Sequence, residues 1–385
     1  MKALQNQQLN PAILEWPVYM QKALQLAGNV LCTTPNPRVG CIIVNNNSIV
    51  GEGWHVAAGQ AHAEVMALRS AGDLAQGATA FVSLEPCAHR GRTGPCSQAL
   101  IKAGIAIVVV AGVDPDERVA GQGIRDLEAA SIEVFHLTDF ESAARNLNTG
   151  YFKRQESGLP LVRLKLAMSL DVRTALANGE SKWITGKEAR ADVQKLRASS
   201  SAVITGINTV LSDDPALNVR ANELALSESE LMNNAELFAS QPLRVIADSQ
   251  IRTHGTAKIL SEPGVVKIFC NEGMNVQNNF ANNVEIIQSI SDSQGVNLNF
   301  MLEYLASKFT CNDVLIEAGP TLSGSFIRAG LVDELVVYIA PKLLGSDAKP
   351  LFEITGLESL AESAQFVTSE VTQIGTDIKA MLIRS

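Results

Sequence analysis

No run of apolar residues in this chain approaches the roughly 18 that cross a bilayer, and the N-terminus opens on a polar stretch instead of the apolar core of a secretory signal. Membrane insertion and export are therefore not expected. Cysteine is scarce: six among 385 residues (Cys32, Cys41, Cys87, Cys96, Cys270 and Cys311) cannot make a disulfide framework, so a reducing cytoplasm is the expected compartment. Positive charge is also in deficit. A net charge of −9 argues against the basic stripe that nucleic-acid binders carry, while leaving room for small anionic ligands at local arginines. What remains is a globular enzyme composition. With 46% hydrophobic residues the chain can bury two cores, and we expect a loose tail at 1–14, one domain at 15–150 and a second at 151–385.

Against this background one constellation stands out: His62-Ala63-Glu64, then Pro86-Cys87, then Cys96. One imidazole and two thiolates match the three protein ligands of a catalytic zinc, whose fourth position is left open. A Glu two residues after the ligating His is the proton shuttle of the zinc deaminases, in the pattern HxE followed by PCxxC. Here eight residues, 88–95, separate the cysteines where the common form has two. Zinc lowers the pKa of a water to about 7, and Glu64 can take that proton and return it to a departing amine. HxE alone could arise by chance. A structural zinc is the rival, and it needs a fourth protein ligand.

Read in order, the chain alternates strands and helices, which is the pattern of layered α/β domains. A helix is expected over 17–28, a stiff two-proline loop at 34–40, a hairpin at 41–50, and strands at 78–84, 106–111 and 132–137. His55, from its surroundings alone, reads as a surface imidazole. Gly121-Gln122-Gly123 lacks the third glycine of a dinucleotide fingerprint and is not read as one. A polar junction is expected at 147–158. Strand 161–166 places Arg163 and Lys165 on one face, where they need anionic company. Thr185 is expected to cap a helix over 187–197, 206–215 reads as a turn-rich loop, and 221–241 as an exposed insertion. A strand at 313–317 delivers a Gly-, Thr- and Ser-containing turn onto a helix, a ready anion site.

These segments together resemble one family, the bifunctional deaminase and reductase proteins of bacterial riboflavin biosynthesis. The resemblance is carried by Thr34-Pro35-Asn36-Pro37-Arg38-Val39-Gly40, Gly53-Trp54-His55, His62-Ala63-Glu64-Val65, Glu85-Pro86-Cys87 through Cys96, Leu164-Lys165-Leu166-Ala167, Gly179 through Thr185, Asp213-Asp214-Pro215 through Arg220, and Ala329 through Glu334. It implies an α/β fold: a cytidine-deaminase-like α/β/α domain followed by a dihydrofolate-reductase-like α/β domain. It further implies two reactions on a small phosphorylated pyrimidine, first loss of the ring amine as ammonia, then NADPH reduction of the ribosyl group to ribityl. By the resemblance, zinc sits on His62, Cys87 and Cys96 with Glu64 as the catalytic proton shuttle, and Asn36, His55, His89, Arg92 and Thr93 meet the deaminase substrate. Lys165 is the catalytic cation of the reductase, whose substrate lies near Lys165, Ser181, Arg197, Leu217, Arg220 and Glu317. NADPH is implied near Ala167, Trp183, Thr209, Asp213, Ser249 and the run Gly319, Pro320, Thr321, Leu322, Ser323, Gly324, Ser325. Self-association is expected, with no nucleic-acid or membrane partner. Arg197 and Arg220 could clamp a phosphate through forked, charge-assisted bonds.

The chain departs from the family in three places: Val172 stands where glycine is usual, Asp116-Glu117 where Asn-Pro is common, and Gly94 where proline is common. A β-branched residue does not readily take a positive φ, so the turn at Val172 is where reductase rate would suffer. Two rival readings differ in class. One is a zinc deaminase for a nucleoside or nucleic acid with a binding module behind it; the other is a zinc-stabilised scaffold without catalysis.

Overall fold

The computed structural model describes residues 2–3, 14–88, 94–117, 119–275, 280–291 and 295–385. They form two compact units, Met1–Ser157 with Ser227–Glu236, and Gly158–Leu226 with Leu237–Ser385. Among the described residues no helix is long and apolar enough to cross a membrane.

The first unit runs β1 (Lys2–Ala3), α1 (Trp16–Ala27), β2 (Gly40–Asn45), β3 (Ser48–Trp54), α2 (Ala63–Ala71), β4 (Thr79–Val82), α3 (Cys96–Lys102), β5 (Ile107–Val110), α4 (Gln122–Ala129), β6 (Glu133–His136), α5 (Glu141–Leu147) and α6 (Thr149–Ser157). Its sheet has the order β1-β6-β5-β4-β2-β3, parallel from β1 to β4 and antiparallel from β4 to β3. Alternation along the strands splits the core in two. Ile42, Val44, Phe81, Val109 and Phe135 pack against Trp16, Tyr19 and Met20 of α1. Cys41, Ile43, Ala80, Val82, Val108 and Val110 pack on the opposite face against α2, α3 and α4. The result is the three-layer α/β/α arrangement.

The second unit begins with β7 (Leu161–Ser169), β8 (Arg173–Ala175), α7 (Lys187–Ala198), β9 (Ala202–Gly206) and α8 (Ile207–Asp213). The chain then passes through α9 (Glu228–Asn233), which belongs with the first unit, and α10 (Ala235–Ala239), and continues with β10 (Leu243–Ala247), α11 (Lys258–Ser261), β11 (Val266–Asn271), β12 (Val284–Ser289), α12 (Leu298–Lys308), β13 (Asp313–Ile316) and α13 (Pro320–Arg328). The chain closes with β14 (Glu334–Ala340), β15 (Lys349–Pro350), β16 (Phe366–Ile374) and β17 (Asp377–Arg384). Nine strands make one sheet, β12-β11-β10-β9-β13-β7-β14-β17-β16, parallel as far as β14 with an antiparallel hairpin at the end. Helices α12 and α13 cover one face through Met301, Leu302, Leu305 and Phe326. The other face is covered by α8 and α11 through Ile207, Val210, Ile259 and Leu260, and by α7 over Val336 and Tyr338.

Several local expectations change. Lys2–Ala3, in the segment expected to be a loose tail, pair in parallel with Phe135 and His136. The expected polar junction is instead covered by α5 and α6, because Ala144, Tyr151 and Phe152 give those polar stretches a buried stripe. The expected loop at 206–215 contains α8, whose Ile207 and Val210 are buried in the core, so packing overrides weak helix formers. Thr185 does not cap α7. Gly186 is the N-cap, and its N–H donates to Asp377 Oδ2 at 2.6 Å.

Candidate functional site

In the first unit three ligand-bearing segments converge. Helix α2 starts immediately after His62, the residue at its N-cap, which puts Glu64 in the first turn on the buried side, 3% exposed. The helix can approach β3 this closely because Gly53 has no side chain: a Cβ there would lie 2.4 Å from Ala63 O. Cys87 follows the exit of β4, and Cys96 opens α3, its N–H donating to Cys87 Sγ at 3.4 Å. Glu85, 4% exposed, ties that exit down by accepting from the N–H groups of Gly121 at 2.9 Å and of Asp114 and Ile124 at 3.3 Å each. The glycines of Gly121-Gln122-Gly123 serve this packing: a Cβ on Gly123 would lie 1.9 Å from Pro86 O.

The ligand atoms of His62, Cys87 and Cys96 all lie within 4.8 Å of one another. His62 Nδ1 is 3.5 Å from Cys87 Sγ and 3.3 Å from Cys96 Sγ. A tetrahedral zinc with bonds of about 2.3 Å to sulfur and about 2.0 Å to nitrogen sets nitrogen and sulfur roughly 3.5 Å apart, so the donors fit the ion. Among the described residues no fourth His, Cys, Asp or Glu joins them. The thiols share one charge: hydrogen bonds from Cys96 and His62 favour the Cys87 thiolate, and that charge, with burial, pushes Cys96 up. Burial, with the Cys87 charge added, pushes the Glu64 carboxyl up to about 7; a cation among the ligands acts in the opposite sense.

His55 is not a surface imidazole but is 2% exposed, its ring centroid 5.1 Å from that of His62. Burial lowers its pKa to about 4, so the ring is neutral. Nδ1–H donates to Ala61 O at 3.2 Å, leaving Nε2 to accept from Asn36 Nδ2 at 3.0 Å. Asn36 and His55 thus come together beside the ligands. His89, Arg92 and Thr93 lie outside the described residues.

In the second unit Arg163 and Lys165 find their anionic company: Arg163 Nε lies 2.7 Å from Glu334 and Lys165 Nζ 3.1 Å from Glu317. Glu317 also takes Arg197, which donates to it from Nε and, at 3.1 Å, from Nη2, while its Nη1 donates to Asn218 O at 3.2 Å. Burial raises the Glu317 carboxyl, but the Arg197 and Lys165 charges overcome it and hold the pKa at about 2. The forked phosphate clamp expected of Arg197 is therefore revised, because its fork is occupied by Glu317. Arg220 has a side chain 46% exposed and pairs with the half-buried Glu223. Leu217 is buried at φ 53°, beside the Asn218 carbonyl that Arg197 holds. Ser181 is half-buried, on the segment between β8 and α7.

A cavity of about 420 Å³ opens at the C-terminal ends of β9 and β10, the side where open α/β sheets bind ligands. Thr209, Ser249, Gly319, Pro320, Thr321, Leu322 and Ser325 line it. Thr209 Oγ1 accepts from Gly319 N at 3.1 Å, fixing the turn into α13. Backbone N–H groups and hydroxyls around a concave wall fit a dinucleotide's phosphates. Of the other residues expected at the cofactor, Ala167, Trp183 and Asp213 are not in this lining. Trp183 is exposed and stacks on Arg190, with the guanidinium carbon 4.5 Å from the ring centre. Ser323 and Gly324 point into the packing: Ser323 is fully buried, its Oγ donating to Ala318 O at 3.2 Å, and Gly324 lies on the Glu353 backbone. The sequence reading missed Asn208, Ala247, Val296, Asn299 and Arg328, which also line the wall; their only signal is a place at the end of a strand, as for Ala247, or on or next to a helix.

Two family models match: the cytidine and deoxycytidylate deaminase zinc-binding region over residues 16–112, and the RibD C-terminal domain over 160–380. The riboflavin biosynthesis protein RibD of Escherichia coli K12 is 47% identical over 368 residues, covering 95% of this chain and 98% of that protein. Its counterpart from Haemophilus influenzae is 48% identical over 365 residues, covering 94% of this chain and 95% of that one. The solved structure of Acinetobacter baumannii RibD superposes with a TM-score of 0.86 at 46% identity, covering 97% of this chain and 99% of that one. The chain belongs to the RibD family of riboflavin biosynthesis proteins.

Proposed function

We infer that this chain carries out two consecutive reactions of riboflavin biosynthesis. The first is hydrolytic deamination of 2,5-diamino-6-(5-phosphoribosylamino)pyrimidin-4(3H)-one to 5-amino-6-(5-phosphoribosylamino)uracil; the second is NADPH reduction of the ribosyl group to ribityl. The deaminase is assigned to the first unit, Met1–Ser157 with Ser227–Glu236, and the reductase to the second, in place of the expected division at 150/151. The observation that carries the reading is the convergence of His62, Cys87 and Cys96 within 4.8 Å, with the buried Glu64 one helical step from the first ligand.

Zinc, when bound, supplies the Lewis acidity that lets water attack near neutral pH. Glu64 takes the water's proton and delivers it to the departing amine. Asn36 and His55, locked to each other, orient the pyrimidine ring. NADPH supplies the hydride of the second step, and Lys165 polarises the acceptor carbon's oxygen or nitrogen from a position fixed by Glu317. Arg197 holds Glu317, and the exposed Arg220 is assigned to the substrate phosphate. The protein works as a homo-oligomer in this reading.

The test follows ammonia release and NADPH oxidation together with zinc-loaded protein and the diaminopyrimidinone substrate. Ammonia should appear first. Glu64→Gln should keep its zinc and lose ammonia release by about 10²- to 10⁴-fold, the range of general acid–base catalysis. Retention of activity in that variant, or no ammonia from the metal-loaded protein, would remove the assignment.

A further inference from the structure

Beyond β10 the chain makes a tight loop, and the way it closes bears on which nicotinamide cofactor the cavity accepts. Asp248 is the first residue past the strand, and its carboxylate is turned into the protein. Asp248 is fully buried, and its Oδ2 accepts from Thr253 N at 2.7 Å and from Thr253 Oγ1 at 2.8 Å. Ser249, next in the chain, lines the cavity. The loop then turns at Ile251, whose N–H donates to Asp248 O at 3.2 Å with φ at 54°, and presents Arg252.

The exposed Arg252 returns toward the cavity. Its Nη2 donates at 3.0 Å to Asn208 Oδ1, and Asn208 is a lining residue from the first turn of α8. A neutral amide thus holds a guanidinium at the rim. Among the described residues no carboxylate pairs with Arg252, whereas Arg163, Arg197, Arg220 and Lys258 of the same unit each face one. A guanidinium with no carboxylate facing it has donors to spare for an anion, and Ser249, three residues earlier in the chain, offers a hydroxyl from the cavity wall.

We propose that Arg252, steadied by Asn208 and assisted by Ser249, binds the 2′-phosphate of the dinucleotide and sets the preference for NADPH over NADH. The proposal rests on the reductase reading above and names a specificity residue within it.

The experiment measures binding by calorimetry to the zinc-loaded full chain, with NADPH, NADH, 2′,5′-ADP and 5′-ADP as titrants. Arg252→Ala should weaken NADPH and 2′,5′-ADP by about 10- to 100-fold, the worth of a charge-assisted bond, and leave NADH and 5′-ADP within about twofold. Arg252→Lys should recover part of the loss, and an unchanged melting temperature reports that the variant folds. Equal weakening of phosphorylated and unphosphorylated ligands, or no weakening in a folded variant, overturns the proposal. So does a loss of discrimination in Arg328→Ala that Arg252→Ala does not show, since Arg328 also lines the cavity. If the wild-type chain binds neither dinucleotide, the reductase reading falls, and this inference with it.

Discussion

Val172 sits at φ 61° on the turn after β7, its N–H donating to Ser169 O at 3.0 Å. The backbone keeps the left-handed turn that glycine usually serves, so the departure costs strain and leaves the turn in place; a non-glycine residue there stores about 1–2 kcal/mol. Val172→Gly should therefore raise stability by about 1 kcal/mol once the added freedom of the unfolded chain is subtracted, read as a higher midpoint in urea at unchanged slope. The side chain is half exposed, so little burial is lost. Glu317 gives a pH prediction. Its folded pKa of about 2 lies below the ordinary 4.5, so it stabilises the native state fully above about pH 4.5 and loses that contribution as pH falls toward 2. The contribution is on the order of 3 kcal/mol. Glu317→Gln should flatten that part of the acid-unfolding curve and, by leaving Arg197 and Lys165 without their counter-ion, destabilise the protein at pH 7 by roughly 3–5 kcal/mol. A variant that unfolds in acid like the wild type would show that the carboxylate's partners do not set its titration.

At the scale of elements, what the sequence made legible depended on how locally each site is written. His62 and Glu64 are one turn of one helix, and Cys87 and Cys96 flank one loop, so ligand types and spacing announced the metal site before any packing was known. The cofactor cavity is assembled from 206–209, 247–249, 295–299 and 319–329, segments far apart in sequence and each without a signature of its own. From the residues alone only the turn into α13 was readable, the family resemblance adding Thr209 and Ser249, and in that turn the sequence could not tell Thr321 and Ser325, which line the cavity, from Ser323, which is buried in the core. Helix α8 was missed because Asn208, Thr209 and Ser212 form helices poorly and only packing of Ile207 and Val210 holds them helical. The α2 and β3 contact yields a prediction at this scale. Gly53→Ala must push α2 away from the strand, because the new methyl meets backbone at 2.4 Å. We expect a loss of about 1–3 kcal/mol, together with faster zinc release to a chelator, since His62 rides on that helix. Unchanged zinc retention would show that the ligand is positioned independently of the helix.

For the whole molecule, every hydrophobic core belongs to one unit or the other, and so do the two candidate sites. Chelation should therefore abolish ammonia release while NADPH oxidation with the deaminated uracil supplied directly continues, and the far-ultraviolet circular dichroism should persist. Loss of the fold on chelation would favour the zinc-stabilised scaffold. The covalent chain does not respect this division. It passes between units at 157/158, again at 226/227 and once more at 236/237, because Ser227–Glu236 belongs with the first unit. Asn234 there accepts from Leu31 N at 2.8 Å and donates to Asn29 O at 3.2 Å. A single proteolytic cut at the 157/158 border leaves Asn234 on the other fragment, so only separation of the two fragments would open Leu31 N and Asn29 O to solvent exchange. The boundary that matters to a protease or a gene fusion is one residue pair, whereas the boundary that matters to folding is three.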